Sequence, residues 1–262
     1  MKTPLTYYGG KQTLLKHIIP LIPKDHILYA EPFTGGAAVF FAKEPSNIEV
    51  INDTNKALMT FYRVARLQFN KLKRRIAGTS HSRTDYKKAK LIYDNPEFFG
   101  EFDLAWAVWM LCASAFNAGF NTSFSYDICR QNTTRKFNNK KALFTQDVLK
   151  RLEHAQIEAV DACEIIRTRD SKGSFFYCDP PYFNADMGHY KGYTEGNFVR
   201  LLEYLSKIKG RFLLSSYPSD TLAKYTKRHG WHTKALKQTT PATYGGRKPK
   251  IEVLTANYPL ED

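Results

Sequence analysis

The residues best suited to chemistry are Asp179, Pro180, Pro181 and Tyr182, which close the run Ser174-Phe175-Phe176-Tyr177-Cys178. The run is aromatic, β-prone and of strand length, so it predicts a buried strand that stops abruptly at an acid. Asp179 supplies a carboxylate that accepts hydrogen bonds, the two prolines stiffen the backbone and fix the direction of its carbonyls, and Tyr182 supplies a flat π-face. A planar amine suits such a site. Asp-Pro also opens ordinary turns, and a Tyr beyond a turn can simply pack, so the motif alone leaves both readings open.

Other stretches would position that strand end and bring it a second reactant. Tyr7-Tyr8-Gly9-Gly10-Lys11 is a glycine turn entering a helix predicted over 12–21, with Leu14, Leu15, Ile18 and Ile19 on one face and Pro20 and Pro23 closing it. Such a turn leaves backbone N–H groups near a ligand, and Lys11 is available for a carboxylate. Residues 27–30 predict a strand, Glu31-Pro32-Phe33-Thr34-Gly35-Gly36-Ala37-Ala38 a tight loop, and 39–42 the start of a helix. Strand, small-residue loop and helix form the first half of a nucleotide-binding α/β unit, because small residues let the backbone approach a cofactor. A second strand at 48–51 ends in Asn52-Asp53-Thr54-Asn55. Asp53 there would hold a ribose diol, or cap the helix that begins near Lys56.

From Lys56 to about Leu152 the pattern turns helical and basic, with Lys71, Lys73, Arg74, Arg75, Arg83, Lys87, Lys88 and Lys90 close together. Some of these belong to a solvated helix face. The apolar stretch 104–115 predicts a buried helix. Beyond it, 116–126 alternates aromatics with small polar residues, and 130–141 is rich in Arg, Lys, Asn and Gln. Those are the types that grip phosphates and base edges, although a plain polar loop has a similar composition. Asn117, Asn121, Arg130, Asn132, Arg135 and Lys136 are the candidate DNA contacts of this segment, joined by Arg247 and Lys248 in a later loop. The α/β pattern resumes with a short strand ending at Asp161, the Asp179 strand, a helix over 197–209, a strand at 212–216, and two last strands at 231–236 and 251–258 that predict an antiparallel pair.

The bulk composition agrees. A formal net charge of +14 on 262 residues exceeds what solubility requires and matches a nucleic-acid backbone as partner, although a generally basic protein without such a partner has the same balance. Charged residues at 24% and hydrophobic ones at 43% exclude a disordered chain. Cys112, Cys129, Cys163 and Cys178 form no Cys-x-x-Cys pair, which argues against a zinc ribbon and for reduced thiols. The first residues lack the apolar core of a signal peptide and 104–113 is too short to span a bilayer, so a cytoplasmic protein with no membrane partner is expected.

Taken together, Tyr8-Gly9-Gly10-Lys11, Glu31-Pro32-Phe33-Thr34-Gly35, Asn52-Asp53-Thr54-Asn55 and Asp179-Pro180-Pro181-Tyr182, in this order, resemble the Dam-like (D12 class) adenine-specific DNA N6-methyltransferases over nearly the whole chain, including Gly245-Gly246-Arg247-Lys248. The resemblance implies an α/β fold: a Rossmann-like methyltransferase sheet, mostly parallel with an antiparallel terminal strand, plus an inserted, mainly helical target-recognition domain. It divides the chain into a catalytic domain over 1–56 and 156–262 and the insert over 57–155. It implies S-adenosyl-L-methionine as cofactor, S-adenosyl-L-homocysteine as product, and no metal. Tyr7, Lys11, Glu31, Phe33, Gly35, Asp53, Asp161 and Asp179 match cofactor positions, with Tyr7 where Trp is common and Ala37 where the cofactor loop commonly has Gly. Asp179, Pro180, Pro181 and Tyr182 match the catalytic motif, whose acid and first proline carbonyl accept hydrogen bonds from the target amine.

Methyl transfer to adenine N6 in double-stranded DNA is therefore the expected activity, by a monomer or weak dimer with a cognate restriction endonuclease as a candidate partner. Because a base inside a duplex cannot reach such a pocket, the adenine would flip out and stack on Tyr182. The alternatives are methylation of an RNA adenine or a protein glutamine amide, and a catalytically silent DNA-binding protein on the same scaffold. Asp179 counts against the glutamine enzymes, which carry Asn there, and the large insert counts against the RNA enzymes.

Overall fold

In the computed structural model, which describes residues 1–116, 119–129, 132–184, 192–238 and 250–260, seven strands form one sheet. They are β1 (Leu28–Glu31), β2 (Ile48–Asn52), β3 (Ala155–Glu158), β4 (Ser174–Cys178), β5 (Arg211–Ser216), β6 (His232–Gln238) and β7 (Lys250–Ala256), in the order β3-β2-β1-β4-β5-β7-β6. β4 is central and pairs in parallel with β1 (Tyr29 opposite Phe175) and β5 (Phe176 opposite Phe212). All five β4 residues are buried, as expected of a strand covered on both faces, which explains why its sequence is continuously apolar rather than alternating. β7 runs antiparallel to β5 and β6. The last strand of the chain thus lies inside the sheet and β6 takes the edge, whereas the sequence predicts only an antiparallel pair at the end.

The helices are α1 (Leu15–Ile18), α2 (Ala38–Ala42), α3 (Lys56–Leu67), α4 (Phe69–Ala77), α5 (Arg83–Asp94), α6 (Glu101–Ser114), α7 (Asn132–Lys141), α8 (Gln146–Leu152), α9 (Ala162–Arg169), α10 (Glu195–Leu205) and α11 (Asp220–His229). The single helix predicted over 12–21 is broken: α1 lies between 3-10 turns at Lys11–Thr13 and Ile19–Leu21. Pro20 has no N–H to return to the preceding turn and its ring crowds that turn, so the α-helix cannot continue through it. Likewise β3 stops at Glu158, and Asp161 caps α9 instead of ending the strand, its carboxylate accepting the Cys163 N–H at 3.0 Å.

Two compact units divide the chain. The first comprises Met1–Ile19, Thr34–Pro45 and Glu49–Ala159; the second comprises Pro20–Phe33, Ser46–Ile48 and Val160–Asp262. The first has α6 at its centre, apolar all round and buried from Leu104 to Ser114, packed by α3, α4, α5 and α7. Trp106 is held there by a hydrogen bond from Nε1 to Thr79 Oγ1 at 2.8 Å. In the second unit β1, β4 and β5 carry the buried Tyr29, Phe175, Phe176, Phe212 and Leu214. Among the described residues no helix is long and apolar enough to cross a membrane, and no group of three or more His, Cys, Asp and Glu could hold a metal ion.

Candidate active site

The first unit holds two linked turns that carry candidate residues. Tyr7 to Gly10 forms a turn closed by Gly10 N–H to Tyr7 O at 3.1 Å, with Gly9 at φ 73°, a value that glycine adopts without strain. Lys11 is 7% exposed and donates from Nζ to Gly9 O at 3.1 Å. The Tyr7 ring lies against the glycine loop: a Cβ on Gly35 would meet Tyr7 Cδ1 at 3.0 Å, and one on Gly36 would meet Tyr7 Cβ at 2.8 Å. Small residues are required here because an aromatic already fills the space.

Asp53 straps this loop. Its Oδ2 accepts the Gly35 N–H at 3.0 Å and its Oδ1 the Asn55 N–H at 2.9 Å. The helix-cap alternative for Asp53 falls away, since the side chain that caps α3 is Asn55, accepting from Leu58 N–H at 3.2 Å. Burial pushes the Asp53 carboxyl above its ordinary value, only partly opposed by the Asn55 and Gly35 N–H groups. Tyr62, which the sequence did not mark out, holds the other side of the loop by donating to Gly35 O at 2.9 Å. Ala37 takes the left-handed conformation (φ 54°, ψ 33°) immediately before α2, so the loop keeps a path usually reserved for glycine although alanine stands there.

The helical part of the same unit carries the candidate DNA contacts. Asn132, Arg135 and Lys136 are exposed on one face of α7 while Phe137 on the opposite side is buried. Arg135 Nη2 donates to Asn132 Oδ1 at 3.1 Å. Asn121 is exposed and accepts from Lys90 Nζ at 3.4 Å. Asn117, Arg130, Arg247 and Lys248 lie outside the described residues. Not every cation is available to DNA: Lys140 Nζ donates to Cys112 O and Ala113 O at the end of α6, and Arg75 lies over the Trp106 ring. His81, also missed in the sequence, joins the parts of this surface. Its ring nitrogens meet Thr134 Oγ1 of α7 and Ser125 O, both at 3.0 Å, and its ring lies 4.8 Å from that of Phe124 and 5.0 Å from that of Phe137.

In the second unit Asp179 stands directly beyond the C-terminal end of β4, half-buried, followed by the buried Pro180 and the half-buried Pro181 and Tyr182. Strand ends of this kind are where open α/β sheets bind ligands. Tyr182 Oη lies 3.1 Å from Asp179 Oδ1, 2.8 Å from Glu252 Oε1 and 3.2 Å from Ser215 Oγ. Ser215 also donates to Glu252 Oε1. Tyr217 packs on the Tyr182 ring at 4.3 Å. Burial, then the charges of Asp179 and Glu252, push the Tyr182 phenol well above its ordinary value, so it remains a neutral donor.

Three further expected positions belong to this unit. Glu31 is 2% exposed at the end of β1 and accepts from Tyr29 Oη at 2.6 Å. The half-buried Phe33 meets the Tyr193 ring edge-on at 6.4 Å. Asp161 is exposed and held by Arg200 through two bonds of 3.0 Å, a fork that fixes the carboxylate plane. Glu252, Ser215 and Arg200 escaped the sequence analysis; the one available signal was an acid in the middle of an apolar strand, Ile251-Glu252-Val253-Leu254.

A family model for D12 class N6 adenine-specific DNA methyltransferases matches residues 7–239. The type II methyltransferase M1.LlaDCHI of Lactococcus lactis subsp. cremoris is 26% identical over 95% of this chain and 93% of its own length. The type II methyltransferase M.CviBI of Paramecium bursaria Chlorella virus NC1A is 26% identical over 82% of each chain. The modification methylase StsI of Streptococcus sanguinis is 24% identical over 82% of this chain, which spans only 35% of that longer protein. The four sequence motifs, the sheet with its antiparallel β7 and a match over most of the chain agree: the protein belongs to the D12 class N6 adenine-specific DNA methyltransferases.

Proposed function

We propose that the protein transfers a methyl group from S-adenosyl-L-methionine to N6 of an adenine flipped out of double-stranded DNA, in a sequence-specific manner. The observation that carries this reading is Asp179 at the end of β4, followed by two prolines and hydrogen-bonded to the Tyr182 hydroxyl. The adenine amine is a poor nucleophile because its lone pair is delocalised into the ring. Asp179 and the Pro180 carbonyl, accepting its two hydrogens, turn that lone pair out of conjugation and orient it. Asp179 is also placed to take the proton that the amine loses when the new C–N bond forms. Tyr182 stacks on the flipped base, and Pro181 stiffens the turn between them.

The donor set suits the cofactor by its own chemistry. The buried Lys11 suits a carboxylate, Asp53 keeps lone pairs for a ribose diol beyond its two backbone donors, and Asp161 can accept from an adenine amine. Tyr7 and Gly35 in the first unit, and Glu31 and Phe33 in the second, are the further residues assigned to it. When bound, this group supplies an electrophilic methyl on sulfur, and no metal is required for the transfer.

We assign target recognition to 57–155, with Asn117, Asn121, Arg130, Asn132, Arg135 and Lys136 as its candidate DNA contacts and Arg247 and Lys248 as further candidates outside that segment. A cognate restriction endonuclease remains a candidate partner, given the type II names of the relatives. The test is to incubate the protein with methyl-labelled S-adenosylmethionine and genomic DNA of mixed sequence, and to map modified bases. Label on adenine N6 at a short repeated sequence is expected; label only in RNA or protein would refute the proposal.

A further inference from the structure

In the second unit the hydroxyl of Tyr193 is shut off from solvent and has no hydrogen-bond partner among the described residues. A buried phenol in that condition is costly, because its hydrogen has left water without finding an acceptor, and most buried polar groups of native proteins are paired. The residue is nevertheless firmly placed. It immediately precedes the N-cap of α10, where the Thr194 hydroxyl accepts the Asn197 N–H at 3.3 Å and Asn197 Oδ1 accepts the Thr194 N–H at 2.8 Å. Its ring meets that of Phe33 edge-on, with centroids 6.4 Å apart and planes at 85°. A ring held by its backbone and its edge does not readily swing its hydroxyl back to water.

The neighbours of the phenol decide which ligand chemistry would suit it. Burial, and then Cys163, Cys178 and Asp161, push its pKa above the ordinary value against the opposing Arg200, so it remains a neutral donor. Burial raises Cys163 to about 11 and Cys178 well above its ordinary value, which leaves both as protonated thiols and weak acceptors. Asp161 is turned to other donors, with both oxygens bound by Arg200 and one also by the Cys163 N–H. The phenol therefore suits an acceptor brought by a ligand. Phe33 and Asp161 are both assigned to the cofactor, and Asp161 suits the amine of its adenine. That amine is flanked by two ring nitrogens, N1 and N7, which accept hydrogen bonds.

We propose that Tyr193 is a further cofactor-binding residue, whose hydroxyl donates to the adenine ring nitrogen beside the amine that binds Asp161. The inference rests on the methyltransferase reading and deepens it. Asp161 as acceptor and Tyr193 as donor match the alternating pattern along one edge of adenine, and a ring with that pattern reversed would satisfy neither.

The experiment begins with calorimetric titration of the unaltered protein with S-adenosylhomocysteine. No binding there would overturn the cofactor reading and this inference with it. Tyr193→Phe keeps the ring and removes only the hydroxyl. Its affinity for S-adenosylhomocysteine should fall about tenfold, while its unfolding temperature without ligand stays level or rises, because the hydrogen removed had no partner in the protein. A merely structural hydroxyl would lower the unfolding temperature as well.

A second measurement identifies the acceptor. Analogues of S-adenosylhomocysteine with carbon in place of adenine N1 or of N7 are titrated against both proteins. One of the two should bind the unaltered protein about tenfold more weakly than S-adenosylhomocysteine, and lose almost nothing further in Tyr193→Phe. Unchanged affinity in Tyr193→Phe, a lowered unfolding temperature without ligand, or the same loss for each analogue in both proteins would overturn the inference while leaving the methyltransferase reading intact.

Discussion

The Gly35 N–H donates to Asp53 Oδ2 at 3.0 Å, tying the glycine loop to the acid that follows β2. One carboxylate therefore shapes the loop and remains available to a ligand. Replacing Asp53 with Ala leaves the Gly35 and Asn55 N–H groups without this acceptor in a half-buried place, a loss of about 1–3 kcal/mol. Cofactor affinity should drop with it, by about tenfold or more if a ribose hydrogen bond is also lost. Thermal unfolding and calorimetric titration with S-adenosylhomocysteine check both; unchanged values in both would remove Asp53 from the site.

Ala37 leads to a prediction of opposite sign. A left-handed backbone costs a non-glycine residue about 1–2 kcal/mol, while glycine adds unfolded-state entropy worth about 0.4–1 kcal/mol. Ala37→Gly should thus be neutral to stabilising by up to about 1.6 kcal/mol. Ala37→Val should be clearly destabilising, because a β-branched residue tolerates this region far less well. Denaturant unfolding of the two variants measures the difference.

The strand before the acid, the glycine loop and the helical character of the basic stretch from Lys56 to Leu152 were legible in the sequence because each is written locally: an apolar run, a cluster of glycines, a helical spacing of apolar residues. Contacts between distant residues were not. Tyr182 and Glu252 are 70 residues apart, and His81 and Thr134 are 53 apart, so no local period joins them. The left-handed Ala37 was hidden for another reason, since the intrinsic preference of alanine is for helix and the surrounding loop overrides it. Among the basic residues, composition could not tell Arg135, exposed on α7, from Lys140, committed to the end of α6.

Glu49 makes the first unit sensitive to acid. The residue is 4% exposed, accepts from Lys43 Nζ at 2.6 Å and from Arg151 Nη2 at 2.7 Å, and Arg151 lies over the Phe40 ring at 3.8 Å. Burial raises its pKa, but the hydrogen bonds from Arg151 and Lys43 and their charges outweigh burial and hold the carboxyl below 4.5. A folded pKa below the unfolded one means that the stabilisation is complete above about 4.5 and is lost as pH falls through the folded value. Glu49→Gln should cost about 3–5 kcal/mol at neutral pH by leaving two buried cations poorly compensated, and should flatten the acid dependence of stability. Urea unfolding across pH checks both effects.

His81 gives the candidate recognition surface its own pH dependence. Burial lowers its pKa below 6.5, opposed by the Ser125 carbonyl and Asp127 and reinforced by Lys140. The neutral ring holds Ser125 and Thr134, and that stability is complete above 6.5 and lost as pH falls through the folded value. His81→Ala should weaken DNA binding by about tenfold while leaving cofactor binding unchanged. Fluorescence titration with duplex DNA at two pH values would show it; equal weakening for both ligands would point to general unfolding instead.

The central claim is that Asp179 accepts a hydrogen bond from an adenine amine in DNA. Its most direct measurement is single-turnover transfer of labelled methyl from S-adenosylmethionine to DNA by Asp179→Ala beside the unaltered protein, with cofactor affinity determined for both. The account predicts labelled adenine N6 with the unaltered protein and transfer reduced by at least about a thousandfold in the variant, with cofactor affinity within a few fold. Transfer by Asp179→Ala at a comparable rate would contradict it, as would loss of cofactor binding in parallel with activity.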